Sequence, residues 1–361
     1  MPERLAVRAE AARLQALFVA QGAQVVETSI LQPAEVLLDL YGEDIRGRAY
    51  VTSDALRGEQ MLRPDFTVPV VQMHMAHGAE PARYTYSGEV FRRQELDEDR
   101  ANEYLQVGYE VFDRDNPAAA DAEVFSLISN ALAGLPLRAA TGDIGILMAA
   151  VEGLDTTARR KAALRRHIWR PRRFRALIDR YSGRAEMPVS RKALISSENP
   201  MGAAGPVIGL RSPEEVAERI ATLREDALAP PISAGEVELL DAILSVRESA
   251  PNALEMLRDI AVDMPSINVA VTRLAERMEA MDARGVNVQT LDFEASYGRS
   301  SMEYYDGFVF GFYAENRADL PPIASGGRYD ALTRQLGQGA EIPAVGGVIR
   351  PGLVVELGGV P

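Results

Sequence analysis

The chain has 361 residues, no cysteine, three histidines and a formal net charge of −13. This length suits one large domain or two ordinary ones, and 47% apolar with 25% charged residues is the composition of a globular protein. The absence of cysteine excludes disulfides, thiolate metal sites and cysteine nucleophiles, and with so few histidines we expect neither a metal nor a cofactor. The negative charge argues against a general nucleic-acid binder, because phosphate contact requires a positive surface.

The N-terminal stretch MPERLAVRAEAARLQ is charged and amphipathic, without the apolar core of a signal peptide. No apolar run approaches the roughly 18 residues that a membrane-spanning helix needs. We therefore expect a cytoplasmic protein that does not act at a membrane.

The first eighty residues alternate short helical and extended patterns. In LRPDFTVPVVQMHMAHG, Pro64 ends a strand, and Asp65 or Thr67 is placed to cap the helix that follows. Hydrophobic periodicity and turn residues predict, in order, a helix at Leu5–Gln21, a strand at Gln24–Ser29, a helix at Pro33–Tyr41, strands at Ala49–Ser53 and Gln60–Arg63, and a helix at Val68–Ala76.

A predicted hairpin follows, with strands at Tyr84–Phe91 and Glu103–Phe112 joined by the charged loop RRQELDEDR. Arg92 and Arg100 stand at the two edges of this loop, and paired guanidinium groups suit phosphate oxygens. The alternative is a solvated hairpin tip whose surface ion pairs contribute little to stability. The loop alone does not decide between the two.

After a predicted helix at Pro117–Leu135 and a strand feeding a helix, the pattern becomes almost purely helical from Asp155 to Asp263. Two capping boxes, Ser212–Glu215 and Ser233–Glu236, mark helix starts within it. Between Arg159 and Arg184 stand eleven basic residues and one acid. This basic block indicates a docking surface for an acidic partner or polyanion, or else a solvated helix face.

Extended patterns return near the C-terminal end, at Val288–Ser296, Tyr304–Ala314 and Pro322–Ser325, before the glycine-punctuated SGGRYDALTRQLG and the apolar PAVGGVIRPGLVVEL. Strands in short-loop pairs favour antiparallel pairing and an α+β fold. We predict one sheet assembled from residues 1–154 and 264–361, with residues 155–263 as a helical, partly basic insertion.

Four motifs in one order resemble those of a known family. SGEVFRRQELDEDRANEYLQVGYEVF resembles motif 2 of the class II aminoacyl-tRNA synthetases in the form that histidyl-tRNA synthetases carry, and MEYYDGFVF resembles their second histidine-specific signature. SGGRYDAL with IPAVGG resembles the approach to motif 3, and LRPDFTVPV resembles the segment LRPEGTA. The resemblance implies a class II synthetase-like catalytic-core fold, mainly an antiparallel sheet flanked by helices.

The resemblance also assigns positions for ATP binding, and several depart from the family pattern. Arg92 and Arg100 fall on the arginines that bind the ATP phosphates, which makes them vestigial phosphate-binding candidates. Gln94 replaces a glutamate that binds adenine, and Leu353 replaces the motif 3 arginine, with Arg350 expected to point elsewhere on a helix. Each lost donor typically costs roughly 3–4 kcal/mol of transition-state stabilisation, so we expect negligible ATP activation and no catalytic residues.

Two further departures lie elsewhere in the chain. The arginine that opens the second signature falls on Ser300, although Arg299 is adjacent, and the motif 1 proline falls on Ser29. The sequence stops at Pro361, where a synthetase would continue into an anticodon-binding domain. The resemblance therefore implies a protein that is not a synthetase.

The amino-acid pocket of the family, by contrast, is matched. An amino group requires carboxylate and amide oxygens, and an imidazole suits a carboxylate partner and an aromatic wall. Taken singly, each of these positions has an ordinary structural explanation: a helix cap, an inward strand residue or a sheet aromatic. By resemblance the candidate histidine-binding residues are Asp65, Thr67, Gln106, Glu110, Tyr304 and Tyr305.

This combination resembles, over essentially the full length, the regulatory subunits of ATP phosphoribosyltransferase, which are non-catalytic paralogues of histidyl-tRNA synthetase. The resemblance implies a partner of the short-form catalytic subunit in a hetero-octamer, self-association as a dimer, and histidine as feedback effector in the first step of histidine biosynthesis. Such sensing needs a coupling of roughly 1–3 kcal/mol between ligand and partner.

Two alternatives stay open at this point. The chain could be a truncated synthetase-like ligase that activates an amino acid for an acceptor other than tRNA. It could also be an RNA-binding pseudoenzyme that uses the basic block from Arg159 to Arg184.

Overall fold

The structure, a computed structural model, describes residues 3–41, 45–94, 100–202, 205, 208–299 and 304–358. The prediction made at Ser300, the middle of the charged hairpin loop and the start of MEYYDGFVF lie outside the described residues. Of Tyr41 only the backbone is described.

The helical elements carry their apolar residues on the side that faces the core. The α-helices are α1 (Arg4–Ala20), α2 (Ala34–Tyr41), α3 (Ile45–Arg48), α4 (Thr67–His77), α5 (Pro117–Ala131), α6 (Ile144–Gly153), α7 (Ala158–Arg166), α8 (Pro171–Tyr181), α9 (Val189–Ser196), α10 (Pro213–Leu228), α11 (Ala234–Ser245), α12 (Ala250–Asp263), α13 (Asn268–Asp282), α14 (Asp330–Leu336) and α15 (Pro351–Glu356). Short 3-10 turns stand at Pro265–Ile267 and Val288–Thr290.

The extended elements come from both ends of the chain. The strands are β1 (Gln24–Val25), β2 (Leu31–Pro33), β3 (Val51–Asp54), β4 (Gly58–Leu62), β5 (Ala82–Phe91), β6 (Glu103–Phe112), β7 (Leu137–Asp143), β8 (Arg247–Ser249), β9 (Asp292–Glu294), β10 (Phe308–Ala314), β11 (Ala324–Arg328) and β12 (Ala344–Ile349).

Nine of these strands form one sheet in the order β1-β5-β6-β12-β11-β10-β7-β9-β8, and β2, β4 and β3 form a second, small sheet. All pairs in the large sheet are antiparallel except β1 with β5 and β7 with β9. The predicted α+β class with a mainly antiparallel sheet is confirmed.

The two faces of the large sheet differ in what they carry. One face is aromatic: Phe125 of α5 packs on Phe308, Phe310 and Phe312 of β10, with ring centroids 5.2–6.3 Å apart. The other face, which carries Glu110, has four glycines near that residue, of which Gly346 and Gly327 are register partners. These glycines are Gly88, Gly108, Gly346 and Gly327. Because glycine carries no side chain, this face leaves room for side chains from neighbouring positions to lie flat on the sheet.

In the described part of the predicted insertion, residues 155–263, the regular elements are helices except at one place. Both capping boxes form, with Ser212 and Ser233 each accepting from the backbone N–H three residues on. The prediction of no strand in this segment is wrong at Arg247–Ser249, which pairs with β9 at the edge of the large sheet. Three residues are too short to show strand periodicity in a sequence. The division into core and insertion stays a prediction.

Several boundaries also differ from the prediction. The extended pattern at Val288–Ser296 contains a 3-10 turn before the short β9, and β10 begins at Phe308 rather than Tyr304. The predicted helix at Pro117–Leu135 ends at Ala131. The buried strand β12 was not assigned, because its sequence AVGGVI combines two central glycines with apolar residues and shows no alternation.

Within the described part of the chain, no helix combines the length and apolarity that crossing a bilayer demands. The same residues contain no group of three or more histidine, aspartate or glutamate side chains arranged to hold a metal ion.

Candidate functional site

The centre of the candidate site is the carboxylate of Glu110, which is only 1% exposed in the middle of β6. Its Oε1 accepts hydrogen bonds from the Tyr86 hydroxyl at 2.8 Å and the Thr67 hydroxyl at 3.1 Å. Its Oε2 accepts from the Tyr329 hydroxyl at 2.5 Å. A carboxylate offers about four acceptor positions, so one remains for a ligand.

The glycine face of the sheet makes room for this group. Gly346 of β12 is paired with Glu110, and a Cβ atom there would lie 1.4 Å from Glu110 Oε2. Gly108, paired with Tyr86, lies beneath the Tyr86 ring, and a Cβ atom would lie 2.1 Å from that ring. The position of the carboxylate thus depends on glycine at two neighbouring positions.

Electrostatically, Glu110 is a buried acid without a basic partner. Burial raises its pKa to about 7, the three hydroxyl donors oppose this rise, and the nearby charge of Asp65 adds to it. Among the described residues, no arginine, lysine or histidine forms an ion pair with it. The carboxyl therefore titrates near neutral pH and gains from a ligand that brings positive charge or an N–H donor.

The N-terminus of α4 supplies two of the predicted residues. Asp65 Oδ1 accepts from the backbone N–H of Val68 at 3.3 Å, so this side chain caps the first turn, as its simpler explanation required. Thr67, the first residue of α4, donates to Glu110. The start of α4 thereby links the LRPDFT segment to the Glu110 carboxylate by a hydrogen bond.

Three tyrosines form an aromatic wall beside Glu110. The Tyr304 and Tyr305 rings lie 4.8 Å apart at 69°, and Tyr329 lies 6.2 Å from Tyr304 and 6.4 Å from Tyr305. Burial raises the pKa of all three hydroxyls, and nearby charge from Asp65 or Glu110 raises it further. Tyr304 and Tyr305 were predicted; Tyr86 and Tyr329 were missed.

Gln106 is the predicted residue with an unused hydrogen-bonding group. It is 1% exposed on β6, four residues before Glu110 and therefore on the same face of the sheet. Its Oε1 has no hydrogen-bond partner among the described residues. Buried acceptors are nearly always satisfied in proteins, so this oxygen is suited to the amino group of a bound molecule.

The two arginines of the hairpin lie at the margin of the site. Arg92 Nε donates to the Pro64 carbonyl at 2.7 Å, next to Asp65, and Arg100 Nη2 donates to the Asp319 carbonyl at 3.4 Å. Burial lowers the pKa of Arg350, and the charges of Arg92 and Arg100 lower it further. Arg350 precedes α15 rather than lying within it, its Nη1 donates to the Pro322 carbonyl at 2.9 Å, and its Cζ lies 5.6 Å from the centre of the Tyr104 ring. The expectation that it points elsewhere stays a prediction.

Two positions that depart from the synthetase pattern, Gln94 and Leu353, have other contacts, and so does Arg299 next to a third. The backbone N–H of Gln94 donates to Asn102 Oδ1 at 3.1 Å, and Leu353 packs against the hydrophobic core. Arg299 is 5% exposed, and its Nε donates to the Ile168 carbonyl at 2.7 Å, which directs it towards the segment joining α7 and α8. Each of these residues therefore makes a contact within the fold of the chain itself.

The chain is similar to a known protein family and to proteins of two Brucella species. The family model described as histidyl-tRNA synthetase matches residues 1–199 and 214–351. Proteins of Brucella canis and Brucella suis named ATP phosphoribosyltransferase regulatory subunit are each 31% identical to this chain over 358 residues, which cover 91% of both chains. The predicted resemblance is confirmed.

Solved structures agree in fold. A Bacillus halodurans protein titled ATP phosphoribosyltransferase regulatory subunit/histidyl-tRNA synthetase has a TM-score of 0.69 at 22% identity, covering 99% of this chain and 80% of its own. A histidyl-tRNA synthetase from a Nostoc species has a TM-score of 0.61 at 16% identity, covering 99% and 72%. At these identities the likeness confirms the class II synthetase-like fold.

Proposed function

The chain belongs to the histidyl-tRNA synthetase family and, within it, to the ATP phosphoribosyltransferase regulatory subunits, and from this membership we propose that it is a non-catalytic partner of the ATP phosphoribosyltransferase catalytic subunit whose buried pocket binds histidine. Histidine biosynthesis follows from the name of the family. The observation that carries the pocket proposal is the buried Glu110 carboxylate, which has three hydroxyl donors and forms no ion pair with a described residue.

The pocket has groups for each part of histidine. Glu110 provides an acceptor for an imidazole N–H, and Tyr304 and Tyr305 provide an aromatic wall beside it. Gln106 Oε1 and the Asp65 carboxylate are acceptors for the α-ammonium group. An imidazolium or ammonium group would supply the positive charge that Glu110 lacks, which favours binding of this amino acid over an apolar one.

The contacts of the departing positions support a non-catalytic role. Adenylate formation requires donors aimed at the α-phosphate of ATP. The Leu353 side chain has no hydrogen-bond donor, and Arg299 Nε donates its hydrogen bond to the Ile168 carbonyl. We propose that the chain acts through its partner, in a hetero-octamer with the short-form catalytic subunit and with histidine as the effector, and that it self-associates as a dimer.

The test of the pocket is calorimetric titration of the purified chain with histidine, using Glu110→Gln and Asp65→Asn. We expect wild-type binding and at least a hundredfold loss in Glu110→Gln, because the amide adds a donor where the ligand needs an acceptor. Arg317→Gln, which alters an exposed ion pair with Asp319, is the matched control and should bind histidine as wild type does. Wild-type affinity in both pocket variants would place the effector site elsewhere.

The partner proposal has its own test. The chain should co-purify with a short-form catalytic subunit, raise its activity, and make that activity sensitive to histidine. If activation occurs without histidine sensitivity, the pocket proposal fails while the partner proposal stands.

One observation favours the ligase alternative. Arg92 and Arg100 lie at the margin of the pocket, where they donate to the Pro64 and Asp319 carbonyls, and their charges add to burial in lowering the pKa of Arg350. Guanidinium groups near one another suit a polyphosphate. ATP–pyrophosphate exchange in the presence of histidine separates the two functions. We expect no exchange, and exchange at the rate of a synthetase would overturn the regulatory proposal.

A further inference from the structure

The basic block, residues Arg159–Arg184, divides into two groups by its ion pairs. One group is paired within the chain: Arg160 and Arg180 with Asp226, Arg175 and Arg184 with Asp241, and Arg165 with Glu152. The other group surrounds the turn between α7 and α8. Arg166, Arg172 and Arg173 are exposed there and make no ion pair within the described part of the chain. Among the described residues, these three arginines place positive charge without a paired carboxylate at this turn.

Beneath the same turn lies a buried guanidinium group. Arg299 donates through Nε to the Ile168 carbonyl, and its Cζ lies 4.9 Å from the centre of the Phe174 ring in α8. Its Nη2 is buried and has no hydrogen-bond partner among the described residues. A buried donor left unsatisfied costs about 1–3 kcal/mol, more when it is charged, and calls for an unseen partner such as an anion.

A second unsatisfied donor belongs to the turn itself. The indole Nε1–H of the half-buried Trp169 has no acceptor among the described residues. Indole nitrogen can only donate, so its partner must be an acceptor. Trp169 follows Ile168, the residue to which Arg299 is bonded.

The start of α8 adds to these donors. This helix of 11 residues begins at Pro171, and Arg170, which precedes it, supplies no side-chain cap. The first backbone N–H groups of a helix have no partner inside it and carry the positive end of the helix dipole. Arg172 and Arg173 are the second and third residues of this helix and Trp169 lies two residues before it, so an anion bound at the terminus would be close to all three.

Neighbouring arginines lower the pKa of two groups at the turn. Burial lowers the pKa of His167, and the charges of Arg170, Arg173 and Arg166 lower it further. Burial lowers the pKa of Arg299 to about 10, and Arg175 contributes in the same direction. No carboxylate acts on either group among the described residues.

We propose that the turn from His167 to Arg173 is a binding site for a phosphate-bearing anion, held by Arg299, Trp169 and the N-terminus of α8 with Arg172 and Arg173 at its rim. A phosphate group carries about two negative charges and three or more acceptor oxygens, which matches several donors and several cations together. A single carboxylate has one charge and two oxygens and would leave donors unsatisfied. The site is independent of the proposed histidine pocket.

The test measures binding of pyrophosphate and inorganic phosphate to the full chain by calorimetry at low ionic strength. We expect saturable binding, tighter for pyrophosphate, and at least a tenfold loss of affinity in Trp169→Phe, which removes only the indole N–H. Arg299→Lys should show a similar loss. The matched control is Arg165→Gln, which removes the same charge from the same block where Glu152 already compensates it, and should change affinity less than twofold.

Folding of each variant is checked by its unfolding midpoint. If Arg299→Lys does not fold, Trp169→Phe and Arg172→Gln decide. Equal losses in Trp169→Phe and Arg165→Gln would show diffuse attraction and overturn the site, as would the absence of saturable pyrophosphate binding. Binding of an RNA duplex that Trp169→Phe leaves unchanged, without pyrophosphate binding, would assign the block to RNA instead. Histidine titration of the same variants should match wild type, which separates this site from the pocket.

Discussion

Two buried charged clusters in this protein solve the same physical problem differently. In the first, Asp121 accepts from both Arg277 and Arg328, Asp143 accepts from Arg277, and Asp330 accepts from Arg328, at 2.7–3.0 Å. In the second, the described groups that donate to Glu110 are three hydroxyls. The first cluster joins α13, α5, β11 and the start of α6, whereas the second lies against the glycine face of the sheet.

The pKa shifts follow the same division. Burial lowers the pKa of Arg277, but the charges of Asp143 and Asp121 together outweigh burial and the pKa is raised. Nothing comparable offsets burial at Glu110, and its pKa is raised to about 7. A buried acid whose charge is compensated is suited to holding elements together, and one whose charge is not compensated is suited to receiving a ligand.

The largest expected effect comes from removing compensation in the first cluster. Arg277→Met leaves two buried carboxylates, Asp121 and Asp143, without their shared cation. We expect a loss of about 3–5 kcal/mol in the free energy of unfolding, measured by urea denaturation at neutral pH. Arg317→Met, which breaks exposed ion pairs with Asp319 and Glu356, should leave the midpoint close to wild type. Equal midpoints for the two variants would contradict the contrast.

The second prediction concerns pH and Glu110. The folded-state pKa of about 7 exceeds the ordinary value of 4.5, so the folded protein holds a proton that the unfolded chain has released. Stability from this group is complete below about pH 4.5 and is lost as pH rises to about 7, by about 3 kcal/mol.

Glu110→Gln should lack this loss, so wild-type stability relative to Glu110→Gln should fall between pH 4.5 and 7 and then level. Urea denaturation across this range measures it. Burial also raises the pKa of Asp306 to about 7, but that group is present in both proteins and cancels in the difference. Parallel stability curves would show that Glu110 is not the uncompensated acid we describe.

The smallest effect should follow Gly346→Ala, which sharpens the second half of the comparison. Its Cβ atom would meet Glu110 Oε2 at 1.4 Å, so the carboxylate must move away from Tyr329. We expect a stability loss of about 1–3 kcal/mol together with loss of histidine binding. Gly235→Ala in α11, where the added Cβ atom meets no atom within 4 Å, is the matched control and should retain both. Undiminished histidine affinity in Gly346→Ala would argue against the pocket.

Much of this protein was predictable because the relevant signals are local. Strand alternation placed Gln106 and Glu110 on one face of β6, and capping boxes marked the starts of α10 and α11. The motif order identified the class II synthetase-like fold, which the comparisons confirm. The assignment of histidine to the pocket residues stays a prediction, since it rests on resemblance and on the geometry of an acid without a cation.

What the sequence by itself determined is therefore the set of strands, helix starts and family motifs, each encoded by residues a few positions apart. Only the tertiary structure decided which distant groups share a buried space. Tyr329 meets Glu110 across 219 positions because β12 lies between β6 and β11, and Arg277 meets Asp121 across 156 because α13 packs on α5. Arg299 likewise contacts Phe174 of α8 because segments far apart in the sequence pack together in the fold. Burial shifts the pKa of the charged groups in each cluster. The degree of burial is a property of the assembled sheet and helices rather than of any local segment.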